Sequence, residues 1–115
     1  MDSLHRVVSL GYNGFPRGVV DDYRLHNHDL KYKIMVHCER NALLFAPRLT
    51  EGCTLYTWPF MSCTPCAAMV IQAGIRRCVA PVPSPDKGER WGADFVVAKQ
   101  LFEEAGVVLE EVEDA

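Results

Sequence analysis

Residues 37–46, HCERNALLFA, and residues 63–73, CTPCAAMVIQA, decide the fold of this chain. Both stretches carry apolar residues at helical spacing among good helix formers, so each predicts a helix. Pro47 follows the first stretch and Gly74 the second, and both residue types commonly end helices. Each predicted helix begins at a residue that binds metal ions, one at a His and the other at a Cys.

Predicted strands alternate with these helices. Residues 53–58 and 75–80 are rich in aromatic or β-branched residues, and each predicts a strand. A third helix is predicted over Asp94–Ala105 and a last strand over Val107–Val112. The resulting order α-β-α-β-α-β predicts an α/β layer structure with a partly parallel sheet.

The N-terminal third has a different character. Leu4–Leu10 predicts a strand, and residues 11–18, GYNGFPRG, interrupt any regular element with three Gly and one Pro. Residues 19–36 are polar and mixed, so we expect a long surface loop there. Ordered loops of this length often carry function.

Size and composition restrict the class of protein. With 115 residues, we expect residues 1–115 to form a single domain around one core. A net charge of −3 gives no general attraction to a phosphate backbone, so nucleic acid is not an expected partner. No apolar run spans a bilayer and no signal-peptide pattern is present, so we expect no membrane association. Five cysteines, two in a metal-like pair, favour a reducing cytoplasm over a disulfide framework.

His37, Cys63 and Cys66 have the composition of a catalytic zinc site. Zinc binds imidazole and thiolate, and a catalytic site keeps one of four positions open for water. Cys63 and Cys66 are three residues apart, so they share one face of the first turn of a helix. The positive end of that helix favours thiolate over thiol.

Glu39 lies two residues from His37, where a carboxylate can reach a water molecule on the metal without binding the metal itself. Proton transfer by such a group contributes typically 10²–10⁴-fold to a rate. The competing interpretations of Cys63 and Cys66 are a redox pair, a structural zinc site and ordinary core cysteines. A structural zinc site normally has a fourth Cys or His, and here the additional closely spaced residue is a Glu.

The order His-x-Glu followed by Cys-x-x-Cys resembles the zinc-dependent cytidine and deoxycytidylate deaminase superfamily. Further stretches are similar to its deoxycytidylate (dCMP) deaminase branch: residues 11–18, 39–44, 55–59 and 71–75. The resemblance implies a three-layer α-β-α fold with a mixed sheet, which we expect to be reduced at the N-terminus, without the usual first helix and first strand. Ser62 stands where the motif usually has Pro, and Ser is a good N-cap, so we expect the helix start to be retained.

The resemblance also implies roles for individual residues. It implies that His37, Cys63 and Cys66 are the zinc ligands. It also implies that Glu39 is the proton shuttle in a reaction in which water attacks C4 of cytosine and ammonia leaves. Further candidates are substrate contacts: the side chain of Asn13 to the sugar, the backbone N–H of Cys38 to the pyrimidine carbonyl, Arg17 to a phosphate or an effector, and Trp58 with Phe60 as walls of the base pocket.

The expected function is hydrolytic deamination of a cytosine nucleotide, dCMP to dUMP, with Zn²⁺ as cofactor. The resemblance further implies a homo-oligomer and Mg²⁺ bound with a nucleotide effector. Two alternatives remain open. One is a deaminase of another aminated base, and the other is a catalytically impaired, nucleotide-binding or regulatory protein that kept the metal site.

Overall fold

The computed structural model describes residues 1–19, 28–59 and 61–113. Helices and strands alternate through most of these residues, as the sequence predicts. The elements are α1 His28–Ile34, α2 Cys38–Leu44, β1 Thr54–Tyr56, α3 Thr64–Gln72, β2 Arg77–Pro81, α4 Pro85–Ala105 and β3 Val108–Val112. No helix in the described ranges is long and apolar enough to cross a membrane.

The two helices predicted from residues 37–46 and 63–73 are confirmed as α2 and α3. Cys63 occupies the N-cap position of α3 with extended backbone angles, and Pro65 follows in the first turn. Beyond the end of α3, Gly74 adopts a φ of 82°, the left-handed conformation that glycine accepts without strain. Ser62 is buried just before the cap and is not the cap itself.

The third helix is longer than predicted. Instead of beginning at Asp94, α4 begins at Pro85, with Ser84 in the N-cap position. The sequence-based boundary was wrong because the prolines of residues 81–85 were interpreted only as helix breakers. Proline is favoured at the first helical position, where its missing N–H costs nothing. Asp94 therefore lies well inside α4.

The three strands form a sheet in the order β1-β2-β3, and both pairings are parallel. The α/β class is confirmed, but the mixed sheet is not seen among the described strands. Leu55, Cys78 and Leu109 share one row of the register, and Tyr56, Val79 and Glu110 share the next. Because side chains alternate along a strand, these rows lie on opposite faces of the sheet.

One face of the sheet carries the core. Cys78 and Ala80 of β2 pack there with Leu55, Leu109 and apolar residues of the helices. Those helix residues come from α2, α3 and α4: Leu43, Ala67, Val70, Phe95, Ala98 and Phe102. On the opposite face Tyr56 and Val108 are about half exposed, and Arg77 is ion-paired with Glu110. Val79, in the same row as Tyr56 and Glu110, is buried, so this second face is covered at the central strand.

The strand predicted over Leu4–Leu10 is absent. The carboxylate of Asp2 accepts hydrogen bonds from the backbone N–H groups of Leu4 and Arg6 at 2.9 and 3.0 Å, and this closes a turn at the start of the segment. His5 has a φ of 61° in that turn. Val7 and Leu10 follow in an irregular stretch and are 60% and 69% exposed. Residues 4–10 do have the apolar pattern of a strand, but none of the described strands pairs with them, and a strand is stable only when it pairs within a sheet.

Within residues 19–36, where a surface loop was predicted, the structure has α1 and an antiparallel bridge between Gly14 and Val36. Residues 20–27 of that predicted loop lie outside the described residues.

Candidate metal centre and active site

His37, Cys63 and Cys66 converge at the N-terminal ends of two helices. His37 immediately precedes α2, Cys63 immediately precedes α3, and Cys66 lies in the first turn of α3. The ligand atoms of the three residues all lie within 4.8 Å of one another. Cys66 is fully buried, and the other two are partly exposed. Folding therefore brings together three metal-binding side chains that are far apart in the sequence.

The spacing of these donor atoms suits zinc. Zn–N bonds of about 2.0–2.1 Å and Zn–S bonds of about 2.3 Å put nitrogen and sulfur about 3.5 Å apart in a tetrahedral site. The Nδ1 atom of His37 lies 3.1 Å from Sγ of Cys66 and 3.4 Å from Sγ of Cys63. One imidazole and two thiolates are also a donor set that zinc prefers. The residues present fit a zinc ion with three protein ligands.

Protons in the metal-free cluster distribute unevenly between the two thiols. A hydrogen bond from Cys66 lowers the pKa of Cys63 below its ordinary value. The same hydrogen bond, together with burial, raises the pKa of Cys66. The neighbouring Cys63 raises the pKa of His37. Because the metal takes thiolates and neutral imidazole, its binding releases protons from this cluster.

Glu39 is buried beside the cluster in the first turn of α2, with 7% of its surface exposed. It lines a cavity of about 90 Å³ together with His37, Cys63, Asn13 and Trp58. The thiol of Cys38 donates a hydrogen bond of 2.9 Å to Oε1 of Glu39. Burial is the main cause that raises the pKa of Cys38 to about 12, and the hydrogen bond to the Glu39 carboxylate is the second. The thiol therefore stays protonated and acts as a donor.

Two of the predicted substrate contacts are bonded to each other. The backbone N–H of Cys38 donates to Oδ1 of Asn13 at 2.7 Å. The side-chain amide oxygen of Asn13 thus accepts the N–H bond that the family resemblance assigns to a pyrimidine carbonyl. Both groups face the same cavity.

The loop that carries Asn13 is held tightly against α2. The side chain of Asn41 donates to the carbonyl of Tyr12 at 2.7 Å. A Cβ atom added to Gly11 would lie 2.3 Å from the carbonyl oxygen of Cys38 and 2.5 Å from the backbone nitrogen of Ala42. Only glycine permits this approach of the loop to the helix.

The substitution Gly11→Ala is therefore expected to destabilise the protein by about 1–3 kcal/mol and to displace Asn13, because the backbone atoms it meets cannot move aside. Denaturant unfolding measures the first effect and the KM for substrate the second. Gly14→Ala is the matched control, since no atom lies within 4 Å of an added Cβ at Gly14. Equal behaviour of the two variants would contradict the close approach at Gly11.

Trp58 and Arg17 differ in their relation to the cavity. Trp58 lies at the cavity wall and is 65% exposed, with a cis bond to Pro59. Arg17 is exposed in the turn after Pro16 and lies outside the set of described residues that line the cavity. Phe60, the other predicted wall of the pocket, is outside the described residues.

The sequence-based reasoning missed two contacts at this site. One is the hydrogen bond from Cys38 to Glu39. The other joins α4 to the start of α3: the carboxylate of Asp94 accepts from the backbone N–H of Thr64 at 3.0 Å. The polar side chain of Asp94 inside an otherwise apolar stretch, WGADFVVA over residues 91–98, was the available signal, but it gives no indication of the partner.

Residues 1–81 match the model of the cytidine and deoxycytidylate deaminase zinc-binding region. The chain belongs to this family. The match spans the cluster of His37, Cys63 and Cys66 and the cavity beside it. The predicted family is confirmed, and with it the enzyme class, zinc-dependent deaminases, at the level of the family.

Relatives of this deaminase-family chain include a protein described as an uncharacterized deaminase in the luxG 3' region of Aliivibrio fischeri. The two are 41% identical over 103 residues, which cover 90% of this chain and 69% of the relative. Human deoxycytidylate deaminase is 31% identical over 93% of this chain. The chain spans 61% of the length of the human protein.

Solved structures with the same fold include dCMP deaminase from the cyanophage S-TIM5 in complex with dCMP and dUMP. The TM-score is 0.57 at 22% identity, and the match covers 89% of this chain and 70% of the phage protein. At this identity the likeness shows the fold, and it agrees with the α/β arrangement described above.

Proposed function

We propose that this protein is a zinc-dependent hydrolase that deaminates a cytosine nucleotide, dCMP to dUMP, with release of ammonia. The observation that carries the proposal is the position of Glu39. A buried carboxylate outside the donor set lines the same cavity as His37 and Cys63. A structural metal site has no use for such a group, whereas a hydrolytic site needs one.

His37, Cys63 and Cys66 would hold the zinc ion. When bound, zinc supplies a Lewis acid that lowers the pKa of water to about 7. Glu39 takes a proton from the water that attacks C4 of the base and delivers it to N3. The C4–N bond then breaks, ammonia leaves with the second proton of the water, and uracil remains. The wall of the cavity keeps this proton transfer away from bulk solvent.

Asn13 and Cys38 would orient the base. The bond between Oδ1 of Asn13 and the N–H of Cys38 holds this donor in place before substrate arrives. A pyrimidine carbonyl that takes the N–H of Cys38 releases the Asn13 side chain, which then serves the sugar. Trp58 forms an exposed wall against which a base can lie.

The choice of dCMP is supported by the relatives named deoxycytidylate deaminase. Arg17 is the proposed contact to the nucleotide phosphate, because a guanidinium matches phosphate geometry. The five cysteines are free thiols, which supports a reducing cytoplasm. A single domain over residues 1–115, a homo-oligomer and Mg²⁺ with a nucleotide effector all stay predictions.

The test is incubation of zinc-loaded protein with dCMP, dCTP, deoxycytidine, cytosine and a cytosine-containing single-stranded oligonucleotide, with ammonia as the readout. We expect the highest kcat/KM for dCMP. Release of ammonia from the oligonucleotide alone would make single-stranded DNA the substrate. Zinc and nucleotide binding without ammonia from any compound would favour the regulatory, non-catalytic alternative.

A further inference from the structure

The zinc-ligand turn at the start of α3 is tied to α4 at a point between its two cysteines. Thr64 lies directly after Cys63, and two residues before Cys66. Its backbone N–H donates to Oδ2 of Asp94 at 3.0 Å, and its hydroxyl donates to the backbone carbonyl of the same residue at 3.1 Å. The N-cap residue Cys63 makes no capping hydrogen bond with its own side chain.

We propose that Asp94 is a positioning residue for the metal centre, which acts on zinc affinity through Thr64. The inference rests on the proposed role of Cys63 and Cys66 as zinc ligands. It adds a residue from α4, whose described side chains contribute no donor atom to the metal cluster.

The first turn of a helix has N–H groups without acceptors inside the helix. In α3, Thr64 presents such an N–H, and Pro65 has none to offer. The backbone at Cys63 and Thr64 is therefore fixed by few local bonds. A carboxylate that accepts the Thr64 N–H fixes this backbone, and with it the direction of the Cys63 side chain relative to Cys66. Carboxylate at the positive end of a helix is also electrostatically favourable.

Asp94 is well placed to hold this backbone because α4 is firmly packed. The next residue, Phe95, is 4% exposed, and Ala98 and Phe102 are more deeply buried in the same core. These residues pack in one cluster with Ala67 and Val70 of α3. The carboxylate is thus presented from a rigid surface to the turn that carries the two thiols. Residues that hold metal ligands in place without binding the metal themselves typically contribute 10–100-fold to metal affinity.

The experiment compares zinc affinity of the full chain with that of three variants by competition against a chromophoric chelator. Asp94→Ala is expected to weaken zinc binding by about 10–100-fold. Asp94→Asn retains an oxygen that accepts the Thr64 N–H and is expected to stay within about threefold of the unsubstituted protein. Phe102→Leu serves as the control for general destabilisation, because Phe102 is buried in the core on the same helix, about two turns beyond Asp94.

A second readout needs no metal. Hydrogen exchange of the Thr64 amide is expected to accelerate in Asp94→Ala and to remain slow in Asp94→Asn. Equal zinc affinity of Asp94→Ala and the unsubstituted protein would overturn the inference, as would equal losses in Asp94→Ala and Asp94→Asn, or in Asp94→Ala and Phe102→Leu. If the unsubstituted protein binds no zinc, the proposed function fails at its metal centre, while the exchange rates still test the contact of Asp94 with Thr64.

Discussion

Replacing Glu39 by Gln is expected to lower the turnover of dCMP by about 10²–10⁴-fold and to leave zinc bound. The amide has nearly the same shape as the carboxylate, so the buried position and the cavity wall are kept. It has no basic oxygen that takes a proton from water and returns it to the base. Steady-state release of ammonia gives the rate, and elemental analysis of the purified variant gives the zinc content.

Glu103→Gln is the matched control, because Glu103 is exposed on α4, away from the cavity lining. This variant is expected to turn over like the unsubstituted protein. Full activity in Glu39→Gln would refute the role of Glu39 as proton shuttle. Loss of zinc in Glu39→Gln would show instead that the carboxylate is a metal ligand.

Replacing Cys66 by Ala is expected to weaken zinc binding by more than about 100-fold. Loss of a residue that only supports a ligand, such as Asp94, typically costs 10–100-fold, whereas this substitution removes a donor atom itself. Cys66 is fully buried and its Sγ atom lies 3.1 Å from Nδ1 of His37. Turnover is expected to fall in proportion to the bound metal. Zinc affinity and ammonia release are measured on the same preparation.

Cys53→Ala provides the comparison for this variant. Cys53 is also a free, buried cysteine, 6% exposed, but it lies in the apolar core outside the metal cluster. The substitution Cys53→Ala also removes a buried thiol and is expected to leave zinc affinity unchanged. If Cys66→Ala retains the affinity shown by Cys53→Ala, the assignment of Cys66 as a ligand is wrong.

The convergence of the three candidate metal ligands was predictable from the sequence because these residues lie at helix starts. Hydrophobic spacing located α2 and α3, and the positions of His37, Cys63 and Cys66 relative to those helices then determined that the donors converge. The bond between Asn13 and Cys38 was not predictable. Both groups were predicted to contact the substrate. Whether they bond to each other when no substrate is bound depends on the exact path of the loop at Gly11.

The errors in the fold have a common physical cause, which is that local patterns do not specify tertiary partners. The segment Leu4–Leu10 has an apolar pattern that suits a strand, but the turn made by Asp2 and the lack of a pairing strand in the described part of the chain leave it irregular. Asp94 was interpreted as the start of a helix, as its residue type often is. It does accept hydrogen bonds at a helix start, but that helix is α3.

The proposed deamination is tested most directly by the conversion of dCMP by zinc-loaded protein, compared with the same protein after removal of the metal by a chelator. We expect one dUMP and one ammonia for each dCMP consumed by the loaded protein, loss of this activity on chelation, and its recovery on readdition of Zn²⁺. Formation of no dUMP by protein that carries one zinc per chain would contradict the proposed deamination.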